Sequence, residues 1–574
     1  MKDHSAPDMA WGATPLSDSA WSFCVWSPDA TDVTLRLPDR DHKALPTQDG
    51  WFAARLSAAP GTPYQLVIDG KEMVDPAARW LDSSDGPARL LGNLPPVAPA
   101  PIRTWEEVVV LEIHIGTFTD QGTFAAAAAR MAEIAALGIT AIEIMPIGAF
   151  PGQRGWGYDP AFLFAPHPAY GTPEDLALLV SAAHEAGLLV ILDVVYNHFG
   201  PQGVTIGDVA PHFFSSARET PWGRGIDFAE PAVRAFFIEN ACMWVADYQF
   251  DGLRLDAVHH IVDDSAHHLL DELAATLRDR VPDREVFLIA EDDRNLPDLR
   301  ERGTITANWN DDYHHAVHCL LTGEDESYYA SFARCPIDDL AVALAEGHVE
   351  QGQPRPPKTE RRGAPVGHLS PLRFVNANQT HDQVGNRAQG ERLISLTSAD
   401  AARIAHALLL CSPAIPMLFM GEEEGARAPF LFFADFDGEL ADAVRKGRAA
   451  EFAGFSQMGG DVPDPISPAT FEASRPYANP AADAPHWREM TQLCLRFRAA
   501  AIVPLLKSGR TGPAEIRNLG ACALHARWPF AAGTLESVVH LGEAPPSPVT
   551  LSDAGVHIGA PDHPYHFAAR VIGA

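Results

Sequence analysis

Asp251-Gly-Leu-Arg-Leu-Asp-Ala-Val-His-His260 is the stretch that decides the fold. Alternation puts Leu253 and Leu255 on one face of a short strand and Arg254 and Asp256 on the other, with Gly252 leaving room beside them. An isolated Arg-x-Asp fits a structural ion pair in a core as well as it fits chemistry. Two more acids at strand ends weigh toward chemistry. Glu291 closes the apolar run Val286-Phe-Leu-Ile-Ala290, and His381-Asp382 follows the strand-like Leu372-Arg-Phe-Val375.

Strand and helix signals alternate on both sides of this stretch. Residues 108–115, 139–145 and 188–195 read as buried strands. Residues 124–137, stopped by Gly138, read as an alanine-rich helix, and Thr172-Pro-Glu-Asp175 opens another that ends at Gly187. Val233, Phe237, Ala241, Trp244 and Tyr248 recur at helical spacing and lead into Asp251. Such alternation, with polar residues placed just after apolar strands, predicts an α/β fold, a parallel (β/α)8 TIM barrel with its site at the C-terminal strand ends. A doubly wound sheet would want a glycine-rich turn after the first strand, and none is present.

The ends of the chain read differently. Residues 1–92 hold short alternating runs such as Trp21-Ser-Phe-Cys-Val-Trp26 and Tyr64-Gln-Leu-Val-Ile68 between Pro, Gly and Asp, which predicts an N-terminal β-sandwich. Its aromatics suit core filling, with a glycan-binding platform as the other reading. Residues 93–103 form a proline-rich linker, 104–509 the barrel, and 510–574 a C-terminal β-rich domain. Within the barrel, residues at about 345–371 are locally basic and rich in Pro and Gly, as an exposed insertion near the mouth would be.

With 574 residues, 46% of them hydrophobic and 21% charged, the chain can bury a large core plus satellites. Its 75 acidic residues against 43 basic give a formal charge of −32, which repels phosphate backbones and anionic headgroups. Nucleic acid and membrane surfaces are therefore excluded as expected partners, while neutral ligands are not penalised. Seven scattered cysteines suggest neither a disulfide framework nor a zinc ribbon, and the N-terminus lacks an apolar signal core. A cytoplasmic location is the expectation.

Two carboxyl groups, one ionised and one protonated, are the minimum for cleaving a glycosidic bond, and a third can steer them. Asp193-Val-Val-Tyr-Asn-His198, Asp251-Gly-Leu-Arg-Leu-Asp256, the Glu291 segment and His381-Asp382 resemble, in order and neighbours, the four short motifs of the α-amylase superfamily of glycoside hydrolases. More narrowly, Ala290-Glu-Asp-Asp-Arg-Asn295, Asp312-Tyr-His-His-Ala-Val-His318 with Leu321-Thr-Gly-Glu324, Gln383-Val-Gly-Asn-Arg387, and Met420-Gly-Glu-Glu423 with Pro429-Phe-Leu-Phe-Phe433 resemble the maltooligosyltrehalose trehalohydrolase family within it.

The resemblance implies Asp256 as nucleophile, Glu291 as general acid and base, and Asp382 as the third carboxylate gripping sugar hydroxyls. It implies substrate-binding roles for Tyr158, Asp193, His198, Arg254 and His381, with Arg254 a fixed positive charge beside Asp256. The implied substrate is maltooligosyltrehalose, a neutral oligosaccharide, and the implied metabolic partner is a maltooligosyltrehalose synthase. Two rivals share these features: an α-1,4-glucan branching enzyme, which passes the glycosyl group to a sugar, and a glucan-binding protein that has lost catalysis. Thr380 stands where the superfamily usually has Asn, which bears on local contacts. Cofactors and metal are entered as none. His259, Asp263 and His267, then His260, Asp264 and His268, and His314 with His318 have a spacing that would align them on helix faces, but this hydrolysis needs no Lewis acid. Asn197 alone does not decide for or against calcium.

Overall fold

Eight short parallel strands pair in chain order and close on themselves: β1 Val110–Ile113, β2 Ala141–Ile144, β3 Leu189–Val194, β4 Gly252–Leu255, β5 Phe287–Ala290, β6 Ala307–Trp309, β7 Phe374–Ala377 and β8 Ile415–Phe419. The closing pair is β8 with β1, Met417 opposite Val110 and Leu418 opposite Leu111. The computed structural model describes residues 10–83, 86–220, 223–453, 461–542, 549–551, 553–561 and 563–573.

Period-2 alternation sorts each strand's side chains. Leu111, Ile142, Leu192, Leu253, Leu255 and Leu288 face outward into the large core shared with the helices. The opposite parity builds a separate inner core from Val110, Ala141, Ile191, Phe287, Ile289, Val375 and Met417. Toward the C-terminal strand ends that same inward parity carries Glu112, Glu143, Asp193, Arg254 and then Asp256 and Glu291. The interior is therefore apolar at the bottom and ionic at the top. Gly252 is required within it, because a Cβ there would sit 2.4 Å from the Phe287 carbonyl oxygen.

Several predicted helices are cut differently from their periodicity. The 124–137 segment is two helices, Phe124–Ala128 and Met131–Leu137, the second capped by left-handed Gly138. The helix before β4 runs Pro231–Cys242 and continues as a π-helix, Met243–Asp247. Residues 261–268 are not helical, and the next helix is Leu269–Arg280.

Eight antiparallel strands between Gly12 and Arg89 form one sheet that folds over on itself. Phe23 and Tyr64, on strands far apart in its order, meet with ring centroids 6.4 Å apart. Trp11 fastens this sheet to the helix before β4, its indole N–H donating to Ala232 O at 2.9 Å and its main-chain N–H to Glu239 at 2.7 Å. Five antiparallel strands between Glu515 and Gly573 form the C-terminal sheet. The 345–371 segment is exposed over most of 353–361 and again at Pro365 and His368, while His348, Val349, Glu350 and Val366 within it are buried. No helix among the described residues is long and apolar enough to cross a membrane.

Candidate active site

Arg254, with only 2% of its side chain exposed, extends one guanidinium to three carboxylates. Nη1 donates to both oxygens of Asp193 at 2.9 and 2.8 Å and to Asp256 Oδ1 at 2.8 Å; Nη2 donates to Glu291 Oε2 at 2.8 Å. The guanidinium lies 4.1 Å over the Trp309 ring. From its other side Asp256 is held by Asn197 Nδ2, which donates at 2.8 Å to Oδ2 and to the main-chain oxygen. Ala257 adopts a left-handed φ of 38°, unusual for a residue with a Cβ, and that turn aims its N–H at Glu291 Oε2, 2.9 Å away.

One cation cannot neutralise three buried anions. Burial pushes Asp193 up to about 7, with Arg254 opposing and Asp256 reinforcing. Burial also raises Glu291; Arg254 and the Ala257 N–H oppose it, and the adjacent Asp256 adds to it. A carboxyl group that keeps its proton toward neutral pH is what a general acid needs.

Asp382 arrives on the short helix His381–Gly385. Thr380 caps that helix: its Oγ1 accepts from the Asp382 N–H at 3.2 Å and donates to Gln383 Oε1 at 2.7 Å, and Gln383 accepts the Thr380 N–H at 2.8 Å. The unusual threonine is thus the capping residue of the turn that presents His381 and Asp382. Asn386 Nδ2 donates to Asp382 Oδ1 at 2.6 Å. Burial raises Asp382, with His381 opposing and Glu291 adding.

His381 stacks on Tyr158 with centroids 5.1 Å apart and planes 21° from parallel, and the Tyr158 hydroxyl donates to Asp193 Oδ2 at 2.6 Å. Burial disfavours a charged imidazole at His381, but Glu112, bonded to both its N–H at 3.0 Å and its Nδ1, outweighs this and raises it. His198 Nε2 meets the Tyr158 carbonyl at 2.9 Å, and burial lowers this imidazole to about 4.

A single cleft of about 510 Å³ is lined by Tyr158, His198, Arg254, Asp256, Glu291, His381 and Asp382. Asp193 does not line it but lies behind the wall, reaching it through Arg254 and Tyr158. Sequence reasoning missed Trp156 and Asn386, which also line the cleft, the buried acids Glu112 and Glu143, and half-buried Asp311. The signal for Glu112 and Glu143 was available: each is an acid on the inward parity of an otherwise apolar strand.

The histidine rows come apart. Because residues 261–268 are not helical, the i, i+4 spacing aligns nothing there. Asp263 accepts from Arg234 at 2.6 Å and from the Leu269 N–H at 2.7 Å, Asp264 pairs with Arg218, and His268 caps the following helix. His314 and His318 do share a helix, but His314 is bonded to Asn378 O at 2.6 Å and the Tyr329 hydroxyl at 2.8 Å, and His318 to Glu324 at 2.7 Å. Among the described residues, His259, Asp292 and Asp293 bring ligating atoms within 4.8 Å of one another. Both Asp292 oxygens already accept from Arg294 at 2.7 Å.

Residues 104–210 match the family model of the α-amylase catalytic domain. A crystal structure from Salmonella typhimurium, described as a candidate alpha amylase, is 40% identical, superposes with a TM-score of 0.92, and is covered over 98% of this chain and 99% of that one. Malto-oligosyltrehalose trehalohydrolase from Deinococcus radiodurans is 42% identical over 82% of this chain and 79% of its own. The chain belongs to the malto-oligosyltrehalose trehalohydrolase family. The family's protein from Saccharolobus solfataricus is 38% identical over 80% of this chain and 82% of its own.

Three of the stretches that most narrowly resemble the trehalohydrolases, 290–295, 312–324 and 383–387, meet in two buried networks. Behind the Asp382 helix, Arg387 donates to both Glu324 oxygens at 2.7 and 2.8 Å, and Glu324 in turn takes His318. Behind Glu291, fully buried Asp312 accepts from Asn295 at 2.9 Å, from the Val349 and Glu350 N–H groups at 2.7 Å, and from Arg362 at 2.6 Å. The insertion is thereby anchored to the turn that follows Glu291. In this trehalohydrolase-family chain Asn295, Asp312, Glu324 and Arg387 of those stretches thus brace the segments that carry Glu291 and Asp382.

Proposed function

We propose that the chain is a retaining hydrolase that cuts the α-1,4-glucosidic bond next to the terminal trehalose of maltooligosyltrehalose. Asp256 attacks the anomeric carbon as the bond to the trehalose oxygen breaks, while Glu291 gives its proton to that oxygen and trehalose departs. Glu291, now a carboxylate, takes a proton from water, which attacks the glycosyl ester and frees the maltooligosaccharide and Asp256. Asp382 grips hydroxyls of the reacting sugar, Tyr158 supplies its stacking ring, His198 and His381 bind its hydroxyls, and Asp193 and Arg254 hold the acids in register.

The observation that carries this reading is the sharing of Arg254: a single guanidinium bonds Asp256 through Nη1 and Glu291 through Nη2, at the floor of the cleft that Asp382 also lines. Two carboxyl groups that close suit direct nucleophilic attack better than an interposed water. The metabolic partner on this reading is a maltooligosyltrehalose synthase, and the compartment is the cytoplasm. Chromatography of the products from maltooligosyltrehalose tests it. Trehalose and a shortened maltooligosaccharide are expected; new α-1,6 branches from amylose without trehalose release would assign the branching reaction instead.

A further inference from the structure

The buried side chains of the surface helix Gly438–Phe452 are Ala441, Arg448 and Phe452. Burying a guanidinium is costly unless its donors find acceptors, and those of Arg448 do so at the cleft wall. Nη2 donates to the Gly385 carbonyl and, at 3.4 Å, to the Arg387 carbonyl; Nη1 donates to Asn386 Oδ1 at 3.3 Å and to Glu451 of its own helix at 2.8 Å. One fork thus holds three consecutive residues at the end of the short helix that carries Asp382. Trp156 packs against the same segment, since a Cβ at Gly385 would lie 2.1 Å from its ring. The guanidinium also lies 5.2 Å over the ring of Phe432, which lines the cleft with Asn386.

These contacts decide the orientation of an amide. A guanidinium has donors only, so the Asn386 atom that meets Arg448 is the oxygen. The amide nitrogen is left for Asp382 and donates to Oδ1 at 2.6 Å. Turned over, the amide would set its oxygen against a carboxylate oxygen, which is favourable only when Asp382 carries a proton. We propose that Arg448 is a positioning residue for the hydrolysis, an assignment that rests on Asp382 gripping the sugar: by fixing the Asn386 amide, it keeps Asp382 an ionised, oriented acceptor for hydroxyls of the reacting ring.

The fork matters more than the charge. A lysine ammonium at 448 is a point donor that cannot span acceptors on three residues. The other groups whose fields reach Asp382 are His381 on its own helix, Arg254 on β4, Glu291 after β5, Glu112 on β1, Asp311 after β6, and Tyr328. All are untouched by substitution at 448.

Steady-state kinetics of the full chain on maltooligosyltrehalose across pH test the proposal. Arg448→Lys and Asn386→Ala should each lower kcat/KM about tenfold. In both, the acid limb, where Asp382 takes up a proton, should move up by about 0.5–1 unit, because the ionised form loses a hydrogen bond. Arg448→Gln, measured beside the lysine variant in case that one fails to fold, carries the same expectation. Adding Arg448→Lys to Asn386→Ala should cost less than about twofold more, since the arginine acts through that amide. Arg445→Ala frees the same helix from Asp464 without touching Asn386, and should leave rate and pH profile unchanged. With an active parent, an unmoved acid limb in the Arg448 variants, losses that multiply in the double variant, or an Arg445→Ala loss equal to theirs would each overturn the role of Arg448 alone. A parent that releases no trehalose would overturn the hydrolysis reading, and this role with it.

Discussion

Replacing Arg254 with lysine keeps the charge and removes the fork. In the native site Nη1 serves Asp193 and Asp256 while Nη2 serves Glu291, each at 2.8 to 2.9 Å. A lysine ammonium is a point donor that can occupy one of those two positions but not span both. Settled near Asp193 and Asp256, where two carboxylates attract it, it loses Glu291. A hydrogen bond to a charged group contributes about 1.5–3 kcal/mol net, so Glu291 should hold its proton about 1–2 pH units higher. The sign follows: Arg254 opposes protonation of Glu291, and removing that opposition raises a carboxyl group that burial has already raised. The alkaline limb of kcat/KM on maltooligosyltrehalose, where the acid loses its proton, should move up by that amount. Activity at neutral pH should fall about 10- to 100-fold, because a more weakly acidic Glu291 donates less readily and Asp256 loses its registration against it. An alkaline limb displaced by less than about 0.3 unit, with kcat/KM within about twofold of the parent, would refute the reasoning that one guanidinium sets both carboxyls.

Glu291→Gln should lower turnover of maltooligosyltrehalose by about 10²–10⁴ while sparing a glycosyl fluoride, whose leaving group needs no proton; equal losses on both substrates would remove Glu291 from the acid role. Asp193 keeps its proton to about pH 7 in the native state, against about 3.9 in an unfolded chain. The native state therefore binds more protons in that window, and its contribution to stability is present below about pH 4 and lost as pH rises toward 7. Asp193→Asn should flatten this decline in denaturant midpoints, and an unchanged slope would show that Asp193 is not its source. Gly252→Ala, whose Cβ would meet the Phe287 carbonyl at 2.4 Å, should cost about 1–3 kcal/mol in urea unfolding; a neutral result would mean that β4 and β5 separate freely. Thr380→Val should lose about 1 kcal/mol of helix capping and raise KM, with Thr380→Ser restoring both; equal behaviour of the two variants would exclude the hydroxyl as the cap.

The periodicities carried most of the barrel. Short apolar runs followed by Asp193, Arg254, Glu291 and Asp382 were visible because a parallel strand buried on both faces must be apolar until the point where it leaves the core. Parity within those strands even fixed which acids face inward, although Glu112 and Glu143 were passed over. Spacing misled at 259–268, where i, i+4 histidines and aspartates look like a helix face: a 3-10 turn at Val258–His260 and the Arg234–Asp263 pair take the chain another way. Composition told only part of 345–371. A Pro- and Gly-rich basic stretch reads as exposed, and most of 353–361 is, but its Arg362, Lys358 and Arg355 reach Glu350, Asp312 and Asp339 and tie it down.

The sequence by itself determined the barrel class, the acids Asp193, Asp256 and Glu291 at strand ends, and the family, because alternation and short motifs are local properties of the chain. Tertiary structure alone decided that one guanidinium serves three carboxylates, that Thr380 caps the turn bearing Asp382, and that Asp312 ties a distant insertion to the Glu291 turn. Those contacts join residues separated by up to tens of positions, and proton affinities follow from burial and neighbouring charge, which exist only once the strands have closed into a barrel.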